Sequence, residues 1–222
     1  MSYHALAIDG PAGAGKSTIA KLLAEKLDYT YIDTGAMYRA TTYKAISLEV
    51  DLSNPESFAF LDDTEFIFNN GELYMDGVNM TRLNRTKEVS DQVSLVASHI
   101  PVRNKLVSLQ QEIADKNDVV MDGRDIGTVV LPNADLKVFL TATVHVRAKR
   151  RYEELKNIGR KMTIEDIEEE IKKRDLYDSS RAYNPLKKAD DAIEIDTSDK
   201  DIVQVVDLIY HKYTQIVNEG EL

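Results

Sequence analysis

Ala5-Leu6-Ala7-Ile8-Asp9-Gly10-Pro11-Ala12-Gly13-Ala14-Gly15-Lys16-Ser17-Thr18 is the stretch that decides the fold. It matches G-x-x-x-x-G-K-[ST], with an apolar run before it and helical spacing (Ile19, Leu22, Leu23, Leu27) after it. The order is therefore strand, glycine loop, helix. Gly10, Gly13 and Gly15 let the backbone curl, so that successive N–H groups and the positive end of the helix point at one anion. Lys16 adds a point charge for terminal phosphates, and the Ser17 hydroxyl can hold Mg²⁺. A flexible turn with a chance lysine would need neither the strand nor the helix.

Working outward, Tyr29-Thr30-Tyr31-Ile32-Asp33 reads as a second strand. Strand, helix, strand so early implies a right-handed crossover and a parallel sheet. A helix over 36–48 carries Tyr38 and Arg39 in its first turns. An arginine there opposes the helix dipole, which points to an anionic partner, with a solvated surface position as the alternative. From Thr64 the pattern changes: Phe66-Ile67-Phe68, Leu73-Tyr74-Met75 and Val78-Asn79-Met80, joined by Asn69-Asn70-Gly71 and Asp76-Gly77, predict an antiparallel meander. Amphipathic helices are expected over 86–97 and from Pro101 onward (Val102, Leu106, Leu109, Ile113). The short connection between them would let Ser94 and Arg103 meet at one site.

Asp118-Val119-Val120-Met121-Asp122 predicts a buried strand that delivers Gly123-Arg124-Asp125-Ile126-Gly127 where open parallel sheets bind ligands. A plain turn with an Arg124–Asp125 surface ion pair is the alternative. After a strand over 136–140, Thr143 caps a helix with Arg147, Arg150 and Arg151 on neighbouring positions. Such crowding calls for an anion, or for pairing with Glu153, Glu154 or Asp166. Lys156-Asn157-Ile158-Gly159-Arg160-Lys161 then interrupts the helix with glycine and positive charge, which suits a mobile lid over phosphates or an ordinary solvated turn. A capping box at Thr163 and Asp166 restarts it; Arg174, Asp178 and Arg181 share a face, and Asn184-Pro185 is the expected stop. A strand over 192–196 precedes a last helix, capped by Ser198 with Asp201 and burying Ile202, Val205, Val206, Ile209 and Tyr213.

Composition narrows the function. The 222 residues are 43% hydrophobic and 30% charged, the profile of one sizeable globular domain. Cys is absent, which excludes disulfides and thiolate chemistry and fits a reducing cytoplasm. No basic and apolar leader opens the chain and no apolar run suffices for a bilayer, so a cytoplasmic protein, neither exported nor embedded, is expected. A net charge of −10 argues against nucleic-acid or anionic-membrane surfaces and leaves the basic clusters to small anions. His4, His99, His145 and His211 lack ligand-like spacing.

A phosphate loop alone predicts only nucleoside triphosphate binding. The N-K-x-D sequence with which GTPases read their base is absent, and the short chain, the basic lid segment and Arg39, Arg103, Arg124, Arg174 and Arg181 favour a small kinase. The blocks Ile8-Asp9-Gly10-Pro11-Ala12-Gly13-Ala14-Gly15-Lys16-Ser17, Asp33-Thr34-Gly35-Ala36-Met37-Tyr38-Arg39, Asp122-Gly123-Arg124-Asp125-Ile126-Gly127-Thr128-Val129-Val130, and Arg174-Asp175 with Arg181 resemble the bacterial cytidylate kinase family. Ser17 stands where some relatives carry Gly or Thr.

That resemblance implies an α/β fold: a P-loop NTPase-type parallel sheet flanked by helices, in a single domain spanning 1–222. It also implies a small antiparallel β insert in the monophosphate-binding region, near 62–100, and a helical lid near 151–163. The implied reaction moves the γ-phosphoryl group of ATP to CMP or dCMP, with Mg²⁺. Gly10, Pro11, Ala12, Gly13, Ala14, Gly15, Lys16, Ser17 and Thr18 would hold ATP, with Ser17 and, through water, Asp33 on the metal. Lys16, Arg124, Arg147, Arg151 and Arg181 would gather the transferring group. Thr34, Tyr38, Arg39, Ser94, Arg103, Arg124, Asp125, Arg174, Asp178 and Arg181 would hold the acceptor. Among these, by similarity, Arg39, Arg124 and Arg181 take its phosphate, Asp125, Arg103 and Ser94 read cytosine, and Asp178 with Arg174 reaches the sugar. The expected partners of this monomer are CMP and dCMP, with no nucleic acid and no membrane. Competing expectations are a kinase for thymidylate or a metabolite such as shikimate or gluconate, and a nucleotide-binding module without turnover.

Overall fold

The computed structural model describes residues 3–69, 71–81, 83–157, 159 and 161–220. The phosphate-loop strand β1 (Ala5–Asp9) lies at the centre of a five-stranded parallel sheet in the order β2, β6, β1, β7, β8. Its companions are β2 (Thr30–Asp33), β6 (Val119–Gly123), β7 (Leu136–Thr141) and β8 (Ile193–Asp196). Leu6, Ala7, Ile8, Val119, Val120 and Met121 are fully buried, as near-continuous apolar runs in a sheet covered on both faces should be. Register decides where the chemistry falls. Asp33 pairs with Asp122 and Asp9 with Gly123, so three neighbouring strands bring carboxylates to one edge of the sheet.

Helix α1 (Lys16–Leu27) begins at Gly15, which is left-handed (φ 91°), with no side-chain cap and no acid in the first turn. Its leading N–H groups are thus left to an external anion. Gly10 sits at φ 146°, and a Cβ there would lie 2.1 Å from the Leu140 carbonyl oxygen. Gly10→Ala is therefore expected to destabilise the fold by about 3 kcal/mol, read as a lower urea midpoint. A shift below about 0.5 kcal/mol would mean that the loop does not press against β7.

Asp33 caps α2 (Thr34–Ser47), its Oδ1 accepting from the Ala36 N–H at 2.8 Å. The meander is present as β3 (Phe66–Asn69), β4 (Glu72–Met75) and β5 (Val78–Asn79), with Asn70 of its first turn outside the described residues. Leu73, Met75 and Met80 tie it into a second core with Met37 of α2, Val93 and Val96 of α3 (Lys87–Val96), and Val102 and Leu106 of α4 (Ile100–Ala114). Helices α5 (Val144–Asn157) and α6 (Ile164–Ser180) share a smaller core of Ala148, Leu155, Ile167 and Ile171. The capping box at Thr163 and Asp166 is formed; of the lid segment, Ile158 and Arg160 lie outside the described residues.

Three local expectations are corrected. Helix α6 ends at Ser180, short of Asn184-Pro185, because the chain turns extended at Arg181 (ψ 135°) and folds back. The Leu186 N–H then reaches the Asp178 carbonyl at 2.8 Å and satisfies the open helix end. Ser198 does not cap the last helix, α7 (Ile202–Gly220). Its capping box lies three residues later: Asp201 accepts from the Gln204 N–H at 2.8 Å, and the Gln204 side chain accepts from the Asp201 N–H at 3.2 Å. Ser198 Oγ instead accepts from the Thr143 N–H at 3.0 Å. Ile202 accordingly leaves the apolar stripe and is 47% exposed, while Val205, Val206, Ile209 and Tyr213 are buried. Among the described residues no helix is long and apolar enough to cross a membrane.

Candidate active site

One side of the candidate site is built on the glycine loop. Lys16 is 6% exposed, and its Nζ donates to the Pro11 carbonyl at 2.8 Å. Ser17 Oγ donates to Asp122 Oδ2 at 2.9 Å, Tyr31 Oη donates to the other oxygen at 2.8 Å, and Thr34 Oγ1 donates to the Asp122 carbonyl at 2.8 Å. Burial, and then the nearby Asp33 carboxylate, push the Asp122 carboxyl up to about 6. Asp33 is engaged twice, as the α2 cap and, through Oδ2, with Arg39 Nη2 at 2.8 Å. Two crowded carboxylates beside a serine hydroxyl form a hard-oxygen donor set that fits Mg²⁺.

The loop is braced from α5. Arg147 donates to the Ala142 carbonyl at 3.0 Å, the Ala12 carbonyl at 3.1 Å and Asp175 Oδ2 at 2.6 Å. Arg150 reaches the Thr197 carbonyl at 2.7 Å and the Gly13 carbonyl at 3.4 Å. Arg151 points outward and pairs with Glu154 at 3.0 Å, one of the pairings its neighbours allowed.

On the other side, Arg103 is 1% exposed; it pairs with Asp125, and its Nη1 donates to the Ala97 carbonyl at 3.0 Å. Ser94 stands half-buried on α3, one turn ahead of Ala97. Arg124 Nε donates to Asp178 Oδ2 at 2.9 Å, so the Arg124–Asp125 surface pair is not formed. Arg181 donates to the Asn184 carbonyl at 3.0 Å. Among the described residues, Nε of Arg39, Arg174 and Arg181 and the Tyr38 hydroxyl are buried without a hydrogen-bond partner. Donors left open in this way suit an anionic guest.

Charge joins the two sides. Burial, and next the field of Arg124, lower the Lys16 ammonium to about 7, with Asp122 opposing and Arg174 adding to the fall. Burial and Arg124 likewise lower Arg174 to about 10. Burial works to raise Asp178, but Arg124, Arg174 and Arg181 hold it below the usual carboxylate range. Lys16 and Arg124 are therefore close enough for their charges to oppose each other. Asp122 was missed as a site residue although its signal was present, since an apolar strand ending in Asp beside a phosphate loop supplies an acid to the loop hydroxyl. The crowding of Arg147 and Arg150 was visible, but that Arg150 and Thr197 reach the Gly13 and Ala14 carbonyls, and that Asp175 pairs with Arg147, was not, because these contacts span long stretches of sequence.

A glycine loop at the carboxyl edge of a parallel sheet, with several buried arginines nearby, is the frame of a P-loop kinase. A family model described as cytidylate kinase matches residues 6–215, and the chain belongs to that family. The cytidylate kinase of Bacillus subtilis (strain 168) is 51% identical over 95% of this chain and 96% of its own. That of Bacillus thuringiensis (strain Al Hakam) is 49% identical over 92% and 93%. The fold alone is shared with a gluconokinase from Sinorhizobium meliloti 1021, at TM-score 0.50 and 13% identity over 100% of this chain and 98% of that one. The protein is a phosphotransferase whose substrates are nucleotides.

Proposed function

We propose that the protein transfers the γ-phosphoryl group of ATP to CMP or dCMP, giving ADP with CDP or dCDP. The observation that carries this reading is the set of buried, unpartnered Nε donors on Arg39, Arg174 and Arg181, which phosphate oxygens would satisfy, in a chain matched by the cytidylate kinase model over residues 6–215. The acceptor phosphate has a second pKa of about 6, so its oxygen is already a nucleophile at neutral pH and no general base is needed. The side chains position the two phosphates in line, exclude water and neutralise charge.

Arg39, Arg124 and Arg181 hold the acceptor phosphate, with forks suited to bidentate contact; the open Nε atoms of Arg39 and Arg181 support this. Thr34 and Tyr38 line the same side, and Arg174 with Asp178 reaches the sugar. Lys16 gathers the transferring group, joined by Arg147 and by Arg151 from the lid once these release Asp175 and Glu154. Cytosine offers an amino donor and acceptors at N3 and O2; Asp125 accepts from the first, and Arg103 and Ser94 donate to the others. Uracil would leave buried groups unpaired at about 1–3 kcal/mol each.

Ser17 and Asp122 would hold Mg²⁺, with Asp33 behind water, and the ion would supply positive charge to offset that of the donor phosphates. Asp122→Asn should raise the Mg²⁺ concentration for half-maximal activity by about 10–100-fold without weakening ATP binding measured in EDTA. An unchanged Mg²⁺ requirement would take Asp122 off the metal. Residues 151–163 close as a lid on the small α5–α6 core, within one domain of 1–222 whose 62–100 insert receives the monophosphate. The same reading makes the protein a cytoplasmic monomer without nucleic-acid or membrane partners. A coupled ADP-release assay across CMP, dCMP, UMP, AMP and dTMP tests it. CMP and dCMP should lead by about tenfold or more, and preference for dTMP or consumption of no acceptor would overturn it.

A further inference from the structure

Asp9 closes β1 and is 4% exposed, yet its carboxylate lies against backbone. Oδ1 accepts from the Ile126 N–H at 2.8 Å and Oδ2 from the Gly127 N–H at 2.7 Å. Those amides open a one-turn π-helix, Ile126–Val130, in which the Val129 and Val130 N–H groups share the Asp125 carbonyl at 2.9 and 3.3 Å. The leading amides of such a turn have no partner within it, and an anion from a different strand takes the place of a local cap. Burial pushes the Asp9 carboxyl up to about 6 against the pull of these two bonds, so the carboxylate is held there at a cost.

The connections on either side of Asp9 give the arrangement its meaning. The residue after it, Gly10, opens the donor loop. The residue before Ile126 is Asp125, which is paired with Arg103. A Cβ at Gly127 would lie 3.4 Å from Asp9 Oδ2 and 3.1 Å from Lys137 Cδ. Lys137 itself is buried, with Nζ donating to Asp191 Oδ2 at 2.8 Å. A side chain at Gly127 would thus meet the Asp9 carboxylate and the Lys137 stem together.

We infer that Asp9 is a positioning residue for base recognition, fixing the two amides after Asp125 so that Asp125 and Arg103 meet the acceptor base while the donor loop stays tied to them. This rests on the CMP reading above. In Asp9→Asn one oxygen remains, but an NH2 group replaces the other and faces an amide donor. Amide exchange at Ile126 and Gly127 should quicken. The ratio of kcat/KM for CMP over UMP should fall by about tenfold or more, with KM for ATP within about twofold. Faster exchange with an unchanged ratio, unchanged exchange, or a rise in KM for ATP alone would each overturn the inference. Should Asp9→Asn not fold, Gly127→Ala crowds the same turn with a methyl 3.4 Å from Asp9 Oδ2 and 3.1 Å from Lys137 Cδ and should lower the same ratio; an intact ratio there is equally fatal. A wild-type protein that turns over no CMP would sink the functional reading instead, and amide exchange would still decide whether Asp9 holds the turn.

Discussion

Arg124→Ala is expected to lower kcat/KM for CMP by about 10²–10³-fold while the dissociation constant for ATP stays within about twofold. Arg124 follows a fully buried strand, and its Nε and Nη1 are held by Asp178 at 2.9 Å and by the Gly123 carbonyl at 3.3 Å. The rest of the fork is then left for the acceptor phosphate. Asp178 keeps Arg174 and Arg181 when Arg124 is removed, so no buried carboxylate is stranded and the fold should hold. Lys16 loses a repelling neighbour, so donor binding has no reason to weaken. Steady-state kinetics and calorimetry of the ATP complex check this. A fall of less than about tenfold, or equal losses on both nucleotides, would remove Arg124 from the acceptor side.

Asp125→Ala should cost stability as well as activity, because Arg103 is 1% exposed and Asp125 is its counterion. Taking one partner from a buried pair leaves the other charge uncompensated, at about 3–5 kcal/mol. Asp125→Asn keeps an acceptor at the same place and should lose less stability, yet it should still blunt the choice between CMP and UMP. Urea unfolding reads the first effect and paired kcat/KM values the second. Wild-type stability in Asp125→Ala would mean that Arg103 finds its compensation elsewhere. An intact preference in Asp125→Asn would move base reading to other groups.

The sheet, its helices and the antiparallel meander were legible because each is announced by a local period or an apolar run: Val119-Val120-Met121 is a buried strand in any context, and Thr163 with Asp166 caps wherever it occurs. The glycine loop was legible for the same reason, and Arg39, Arg103 and Arg124 were expected to have partners beyond their own elements, as the bonds to Asp33, Asp125 and Asp178 show. Contacts that join distant strands were not. Asp9 reads as the last residue of a strand until register sets it beside Gly123, and Asp122 gains its meaning only when Ser17 arrives across the sheet. Overlapping patterns also misled. Ser198 to Asp201 and Asp201 to Gln204 are both capping spacings, and the tertiary bond from the Thr143 N–H to Ser198 selected the second.

The anchoring of α5 has a mechanical corollary. Arg147 and Arg150 hook the root of that helix to the Ala12 and Gly13 carbonyls, and Asp175 on α6 is latched to the same Arg147. The pair is therefore hinged like a lever whose fulcrum is the glycine loop itself. From Arg147 to the end of the helix at Asn157 is about 15 Å, so a tilt of about 20° sweeps the tip through about 5 Å while the root barely stirs. The glycine loop is thus the fixed end about which the outer arm would turn.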